Sequence, residues 1–355
     1  MHIILSSAGR RVYLVQWFQE ALRKIDPASK VYVLDANPSA AAIAAADGFR
    51  QMPAFTSEEY ANELLKCVDE LKPALFLSLN DYELTILSLG LSQQLRSRDI
   101  AVPVLDERAQ RTVADKLEMY QVLAAAGVTT PKTVLLSDRA AVEELLDEYP
   151  AFIVKDRWGS GSSGLRRFSR AEAVTWLAHC HQTVAQHDPI QLNQLILQPD
   201  LGGVEHGLDI ISSVTTGPVQ GVLARRKLGM RNGETAAAIT VDSSPFQGLA
   251  AVLNAALGIR GTVDVDLMLT DDGVAHVIDI NPRFGGGYPF SHIAGANTPH
   301  FMLASTLNIP PDPNWNRYRI GYVGAKHEGI IGFESSARGE DHAQTVSRTV
   351  LRKAS

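Results

Sequence analysis

The sequence predicts an α/β protein of two or three domains or lobes, with a parallel, doubly wound opening and an antiparallel element near its end. Three observations carry this. Short apolar runs alternate with amphipathic helical segments over residues 1–105. At 355 residues the chain is longer than one hydrophobic core usually serves. A strand, an Asp-Asp-Gly turn at 271–273 and a second strand mark a hairpin over 262–281.

In chain order, His2–Leu5 reads as the first strand, Ser6–Arg11 as a turn, Val12–Lys24 as a helix and Lys30–Asn37 as the second strand. Ala74–Ser78 reads as another buried strand and Ile100–Leu105 as one more. In such a sheet the ligand crevice lies at the carboxyl ends of the strands, which gathers Ser6–Arg11, Asp35–Asn37 and Asn80–Glu83. Asp35 stands where a ribose-binding acid would. The first turn, however, holds a single glycine, Gly9, and lacks the G-x-G-x-x-G through which backbone approaches a pyrophosphate, which argues against a nicotinamide-binding domain. Arg10 and Arg11 suit an anionic substrate or are solvated charges.

Asp106–Ala126 reads as one connecting helix closed by Gly127, with Lys116, taken alone, as a surface residue. Ala151–Lys155 is a strand ending in lysine, followed by a Gly/Ser stretch and a return strand at 165–168. Gly159, Gly161 and Gly164 formally satisfy G-x-G-x-x-G, but the next helix starts only near the capping box of Ser169 and Glu172. The stretch is a hairpin: either a lid whose N–H groups close over phosphates while Lys155 supplies a point charge, or an ordinary flexible turn. His179, Cys180, His181 and His187 have no second ligand pair and read as solvated.

Leu195–Gln198 and Val204–Val214 are strands, with Glu205 and Asp209 on one face of the latter. Gly221–Arg231 carries Arg225, Arg226, Lys227 and Arg231, cations that neutralise phosphate, bind a carboxylate or are solvated. The hairpin at 262–281 brings Asp266 opposite Asp279. In the stretch AHVIDINPRFGGGY (275–288), Asp279 and Asn281 share a strand face, Pro282 ends the pairing, Arg283 offers a charged fork and Gly285–Gly287 allow close approach to a ligand. Facing carboxylates repel unless a cation lies between them, and oxygen donors suit Mg²⁺.

Composition sets the outer bounds. Hydrophobic content of 45% and charged content of 20% are those of an ordinary soluble protein, and a net charge of −6 gives no electrostatic case for nucleic acid. Two cysteines make neither a disulfide framework nor a cysteine zinc site, and no apolar run is long enough for a membrane span. The expected location is cytoplasmic.

Together these elements resemble the ATP-grasp superfamily, most nearly its carbamoyl-phosphate-synthase-like branch of carboxylate–amine ligases, over residues 1–305. DINPRFGGG (279–287) is similar to the family's E-I-N-P-R-F-x-G-G. The resemblance implies an α/β and α+β fold, with a Rossmann-like domain at 1–107 before a two-lobed ATP-grasp module. Its small lobe, with the lid, would span 108–197, its large lobe, with the metal site, 198–310, and an extension 311–355. It implies that Lys116 and Lys155 contact ATP, that Gly159, Ser160, Gly161, Ser162 and Gly164 cover the triphosphate, and that Gln198 and Pro199 offer backbone to adenine. Glu205 would hold the ribose, Asp266, Asp279 and Asn281 two Mg²⁺ ions (or Mn²⁺), and Arg283 would stand by the transferring phosphate with Lys155 and Asn281. Arg225, Arg226 and Arg231 are the expected clamp for a substrate carboxylate. The hinge acid is replaced by Gln198, and Asp266 and Asp279 are each one methylene shorter than the usual residue.

The activity implied is condensation of a small carboxylic or amino acid with an amine through an acyl phosphate, giving ADP and phosphate. The alternatives are a bicarbonate-activating enzyme and a non-catalytic ATP-binding regulator. The expected partners are small molecules and a second copy of the chain, with neither nucleic acid nor membrane.

Overall fold

The computed structural model describes residues 1–158, 164–187 and 189–333. The expected lid residues Gly159, Ser160, Gly161 and Ser162 lie outside the described residues, as does the polar tail from 334.

Strands β1 (His2–Ser6), β2 (Lys30–Asp35), β3 (Gly48–Gln51) and β4 (Leu75–Ser78) form a parallel sheet in the order β3-β2-β1-β4. β1 and β4 are apolar runs buried on both faces, as parallel strands are. The helix Val12–Ile25 turns Leu14, Val15, Phe18, Ala21 and Leu22 onto one face of the sheet. That core continues into Phe284, Tyr288, Met302 and Trp315, so the first sheet and the C-terminal lobe share buried apolar surface.

One strand of this region carries no sequence signal, and one reading is corrected. β3 has no alternating pattern, and it is made possible by Gly48, where a Cβ would fall 2.4 Å from the Tyr32 ring. Ile100–Leu105 is not a strand, and only a single bridge, Leu75 to Ala101, forms. Pro103 has no N–H to give, and Arg96 takes the carbonyls of Val102 (2.7 Å) and Val104 (2.9 Å) that a ladder would use.

A small antiparallel sheet in the order β5-β8-β6-β7 follows, from β5 (Val134–Leu135), β6 (Ala151–Asp156), β7 (Arg166–Ser169) and β8 (Leu195–Pro199). The third sheet, in the order β13-β12-β9-β10-β11-β14, is antiparallel throughout. It comprises β9 (Val204–Ile211), β10 (Gly221–Arg231), β11 (Glu234–Val241), β12 (Thr262–Leu269), β13 (Ala275–Asn281) and β14 (Val323–Ala325). Its apolar face, with Leu208, Ile210, Val263, Val265 and Ile280, packs on the helix Gln247–Leu257. The other face carries the charged residues.

Candidate active site

The charged face is built by strand alternation. Leu208 and Ile210 on β9, Val222 and Ala224 on β10 and Val263 and Val265 on β12 are buried against the helix, and alternation puts Glu205, Asp209, Arg225, Lys227, Asp264 and Asp266 on the opposite side. The hairpin register sets Asp266 across from Asp279 and Asp264 across from Asn281. A bulge interrupts this pairing between Asp266 and Leu267, so that Val277 and Ile280 both reach the core although three residues apart. The extra residue, Ile278, lines a cavity instead, and its carbonyl lies 3.5 Å from Lys155 Nζ.

That cavity, of about 550 Å³, lies between the small and third sheets. Lys116, Lys155, Gln198, Pro199, Glu205, Asp266, Asp279, Asn281 and Arg283 all line it. Ile153, Leu165, Met230, Met268 and Ile278 supply apolar wall. Gly164 is described but is not among the lining residues.

The expected single helix at 106–126 is two, Glu107–Ala114 and Lys116–Ala125. Asp115 breaks it with φ −108° and ψ 106°, caps the N–H groups of Leu117 and Glu118, and holds Arg157 through a two-pronged ion pair at 2.7–3.0 Å. Lys116 thus starts a helix at the cavity wall, only 7% exposed, with Nζ 3.5 Å from Asp279. Lys155, next to last in β6, lines the same space; burial lowers its pKa to about 8 despite the attraction of Asp279.

Lys227 is the central cation of the site, 2.5 Å from Glu205 and 2.7 Å from Asp266. Burial opposes its charge, but the two acids hold its pKa above the ordinary value. Burial also lifts Asp266 to about 7, although Lys227 pulls the other way. Arg283 bonds Asp81 at 2.7 Å and Asn281 at 3.2 Å. Asp81 comes from the helix after β4, so the N-terminal sheet reaches the site.

The substrate clamp expected of Arg225, Arg226 and Arg231 is not assembled. Arg225 is 1% exposed and lies beneath the site, paired with Asp209 and, at 2.6 Å, with Asp264. Arg226 points the other way and is exposed, and Arg231 is exposed and pairs with Glu328. The reading of Gly285–Gly287 also changes. A Cβ on Gly285 would fall 2.1 Å from Asp264 Cγ, and one on Gly287 2.0 Å from Arg225 Nε. Two of the three glycines therefore make room for the buried ion triad rather than for a ligand; only Gly286 lines the cavity. Sequence reasoning named Lys227 but passed it over in favour of three arginines. The signal was parity: 227 shares a strand face with 225, and 226 does not. Arg11, read from the sequence as suiting an anionic substrate or as solvated, also lines the cavity, as does Glu234, which carried no such signal.

Residues 113–287 match the family described as ATP-grasp domain, and residues 3–104 match the one described as PylC-like, N-terminal domain. Residues 113–287 are an ATP-grasp domain. The chain is 24% identical over 221 residues to the carbamoyl phosphate synthase large chain of Streptomyces avermitilis, covering 59% of this chain but 19% of that one. The chain thus spans about a fifth of the length of this curated relative. Two solved structures share the fold. An ADP complex of N5-carboxyaminoimidazole ribonucleotide synthetase superposes with a TM-score of 0.66 at 17% identity, covering 87% of this chain and 78% of that one. The L-amino acid ligase of Bacillus licheniformis superposes with a TM-score of 0.65 at 17% identity, covering 89% and 77%.

Proposed function

We propose that this protein is an ATP-dependent carboxylate–amine ligase that forms an amide with release of ADP and phosphate. The observation that carries the reading is one cavity lined by two lysines, three oxygen donors on facing strands and a fixed arginine. In the proposed reaction a substrate carboxylate oxygen attacks the γ-phosphorus of ATP as the bond to ADP breaks. The amine nitrogen of the second substrate then attacks the acyl carbon, loses a proton and expels phosphate. Both steps depend on positioning and charge neutralisation more than on covalent help from the protein.

The residues divide this work. The apolar wall of Ile153, Met230, Met268 and Ile278 suits a flat base, and Glu205 suits ribose hydroxyls. Lys116 and Lys155 supply positive charge to the polyphosphate. Arg283, fixed by Asp81, presents its fork to the transferred group. Among the described residues no three His, Cys, Asp or Glu side chains form a ready metal cage. Two carboxylates and an amide instead fit Mg²⁺ shared with phosphate, since that ion is commonly held by one or two carboxylates plus substrate oxygens. Asp266, Asp279 and Asn281 would hold it, and when bound it would neutralise charge on the triphosphate. Each acid already attracts a lysine, Lys116 at Asp279 and Lys227 at Asp266, and this negative field supports the reading.

The test is ADP release from MgATP with amino acids and small carboxylates, singly and in pairs, with mass spectrometry of the products. Release that needs both partners, with a product at their summed mass less water, is the expected result. ATP binding without release from any mixture would sink the ligase reading in favour of a regulator, and release with bicarbonate alone would favour a carboxylase-like enzyme. Asp279→Ala is expected to abolish release while the circular dichroism spectrum stays unchanged.

A further inference from the structure

The cavity has a second charged end. Arg11 lines it, together with Arg283, Glu234 and Gly286. Arg11 opens the helix Val12–Ile25 from the turn after β1, and its guanidinium donates to the Leu79 carbonyl at 2.8 Å. Among the described residues no carboxylate lies within ion-pair distance of it. The two nearby acids are already engaged: Asp81 with Arg283 at 2.7 Å, and Glu234 with Lys326 at 3.1 Å and Arg10 at 3.6 Å. Lys326 Nζ stands beside Gly286 at the cavity wall. Among the described residues four cations thus face two acids here, and Arg11 is the cation with no partner of opposite charge, bonded only to neutral groups, the Leu79 carbonyl and the Tyr13 side chain. Burial, with a smaller push from the charge of Arg283, lowers the Arg11 pKa although Glu234 and Asp81 pull the other way.

We propose that Arg11 binds a second carboxylate of the acid substrate, so that the preferred acid is a dicarboxylate whose reacting group lies at Arg283. This rests on the ligase reading and adds the substrate class. A guanidinium is a planar fork matched to a carboxylate, and a partly buried one gains most from a partner because it has already lost water. The backbone bond to Leu79 fixes the fork in advance, which lowers the cost of ordering it on binding. Arg10, exposed beside it, strengthens the field that draws in a dianion.

The experiment is calorimetric binding to the full chain, with MgADP present, of succinate, glutarate, L-aspartate and L-glutamate, each against its monoamide. The expected result is that at least one diacid binds about tenfold or more tighter than its monoamide, the worth of a charge-assisted hydrogen bond. Arg11→Gln should erase that ratio and leave ADP affinity intact, and Arg11→Lys should restore part of it. Equal binding of diacids and monoamides, no binding by any diacid, or an unchanged ratio in Arg11→Gln would overturn the proposal. ADP release on the same set separates the two ideas. Discrimination through Arg11 without turnover would keep the subsite and reject the ligase reading. Turnover of monocarboxylates that is indifferent to Arg11 would do the reverse.

Discussion

Lys227 shows how one side chain can hold a cluster of acids together before any ligand arrives. Glu205 and Asp266 face each other across it, and without a cation between them both would be half-buried acids in mutual repulsion. Breaking a buried pair by removing one partner typically costs about 3–5 kcal/mol. We expect Lys227→Met to lower stability by about 3 kcal/mol, and MgADP to raise its Tm more than that of the parent protein; denaturation with and without MgADP measures both. His292 offers an independent residue-scale test. It stacks on Trp17 at 3.7 Å between ring centroids, bonds the Tyr288 hydroxyl at 2.9 Å, and burial lowers its pKa to about 4. A depressed histidine pKa means that the unfolded chain takes up the proton first. Stability should therefore be intact above about pH 6.5 and fall by about 2–3 kcal/mol as pH drops to 4. Urea titrations across that range should show a shallower slope for His292→Asn, and an identical slope would show that His292 is not the group responsible.

At the scale of elements, the β12–β13 hairpin and the glycine turn after it form one device. The hairpin places the oxygen donors, the bulge turns the Ile278 carbonyl to Lys155, and the turn closes over Arg225 and Asp264. Arg225 has three of its neighbours fixed by glycine: Gly207, Gly285 (through Asp264) and Gly287. A methyl group at Gly287 cannot be absorbed by a flexible tip, because the guanidinium it meets is locked between two carboxylates. Gly287→Ala is expected to cost about 3 kcal/mol or more, or to leave the chain insoluble. Gly286→Ala meets nothing closer than 3.5 Å and should shift the urea midpoint little. Equal effects of the two substitutions would remove the packing explanation.

Across the whole molecule, the N-terminal sheet is tied to the site by the Asp81–Arg283 pair, which joins residues 202 positions apart. Shared burial of Phe18, Phe284 and Tyr288 keeps the two regions in register behind that pair. Asp81→Asn is expected to leave the fold and ADP affinity near those of the parent while turnover falls by about tenfold or more, since a loosened Arg283 mispositions charge. Steady-state rates beside ADP titrations would decide this, and a parallel loss of ADP affinity would point to a wider disturbance.

Much of this was legible from residues alone, for a physical reason. The apolar runs of β1 and β4, the helix Val12–Ile25 and the hairpin that sets Asp266 opposite Asp279 depend on periodicity and turn chemistry, which act over a few residues. The failures came where distant groups compete for the same atoms. Arg96 captured carbonyls that Ile100–Leu105 needed to be a strand, and Asp115 left its helix to cap the next one and bind Arg157. Arg225 and Lys227 look alike in sequence, but Asp209 and Asp264 bury the first and Glu205 and Asp266 hold the second at the cavity. The sequence by itself determined the sheet elements and the Asp-Ile-Asn-Pro-Arg-Phe stretch that carries the oxygen donors and Arg283. Only the tertiary structure decided which cation meets which acid and brought Arg11 and Asp81 to Arg283, because ion pairing depends on distance in space and strand periodicity does not encode it.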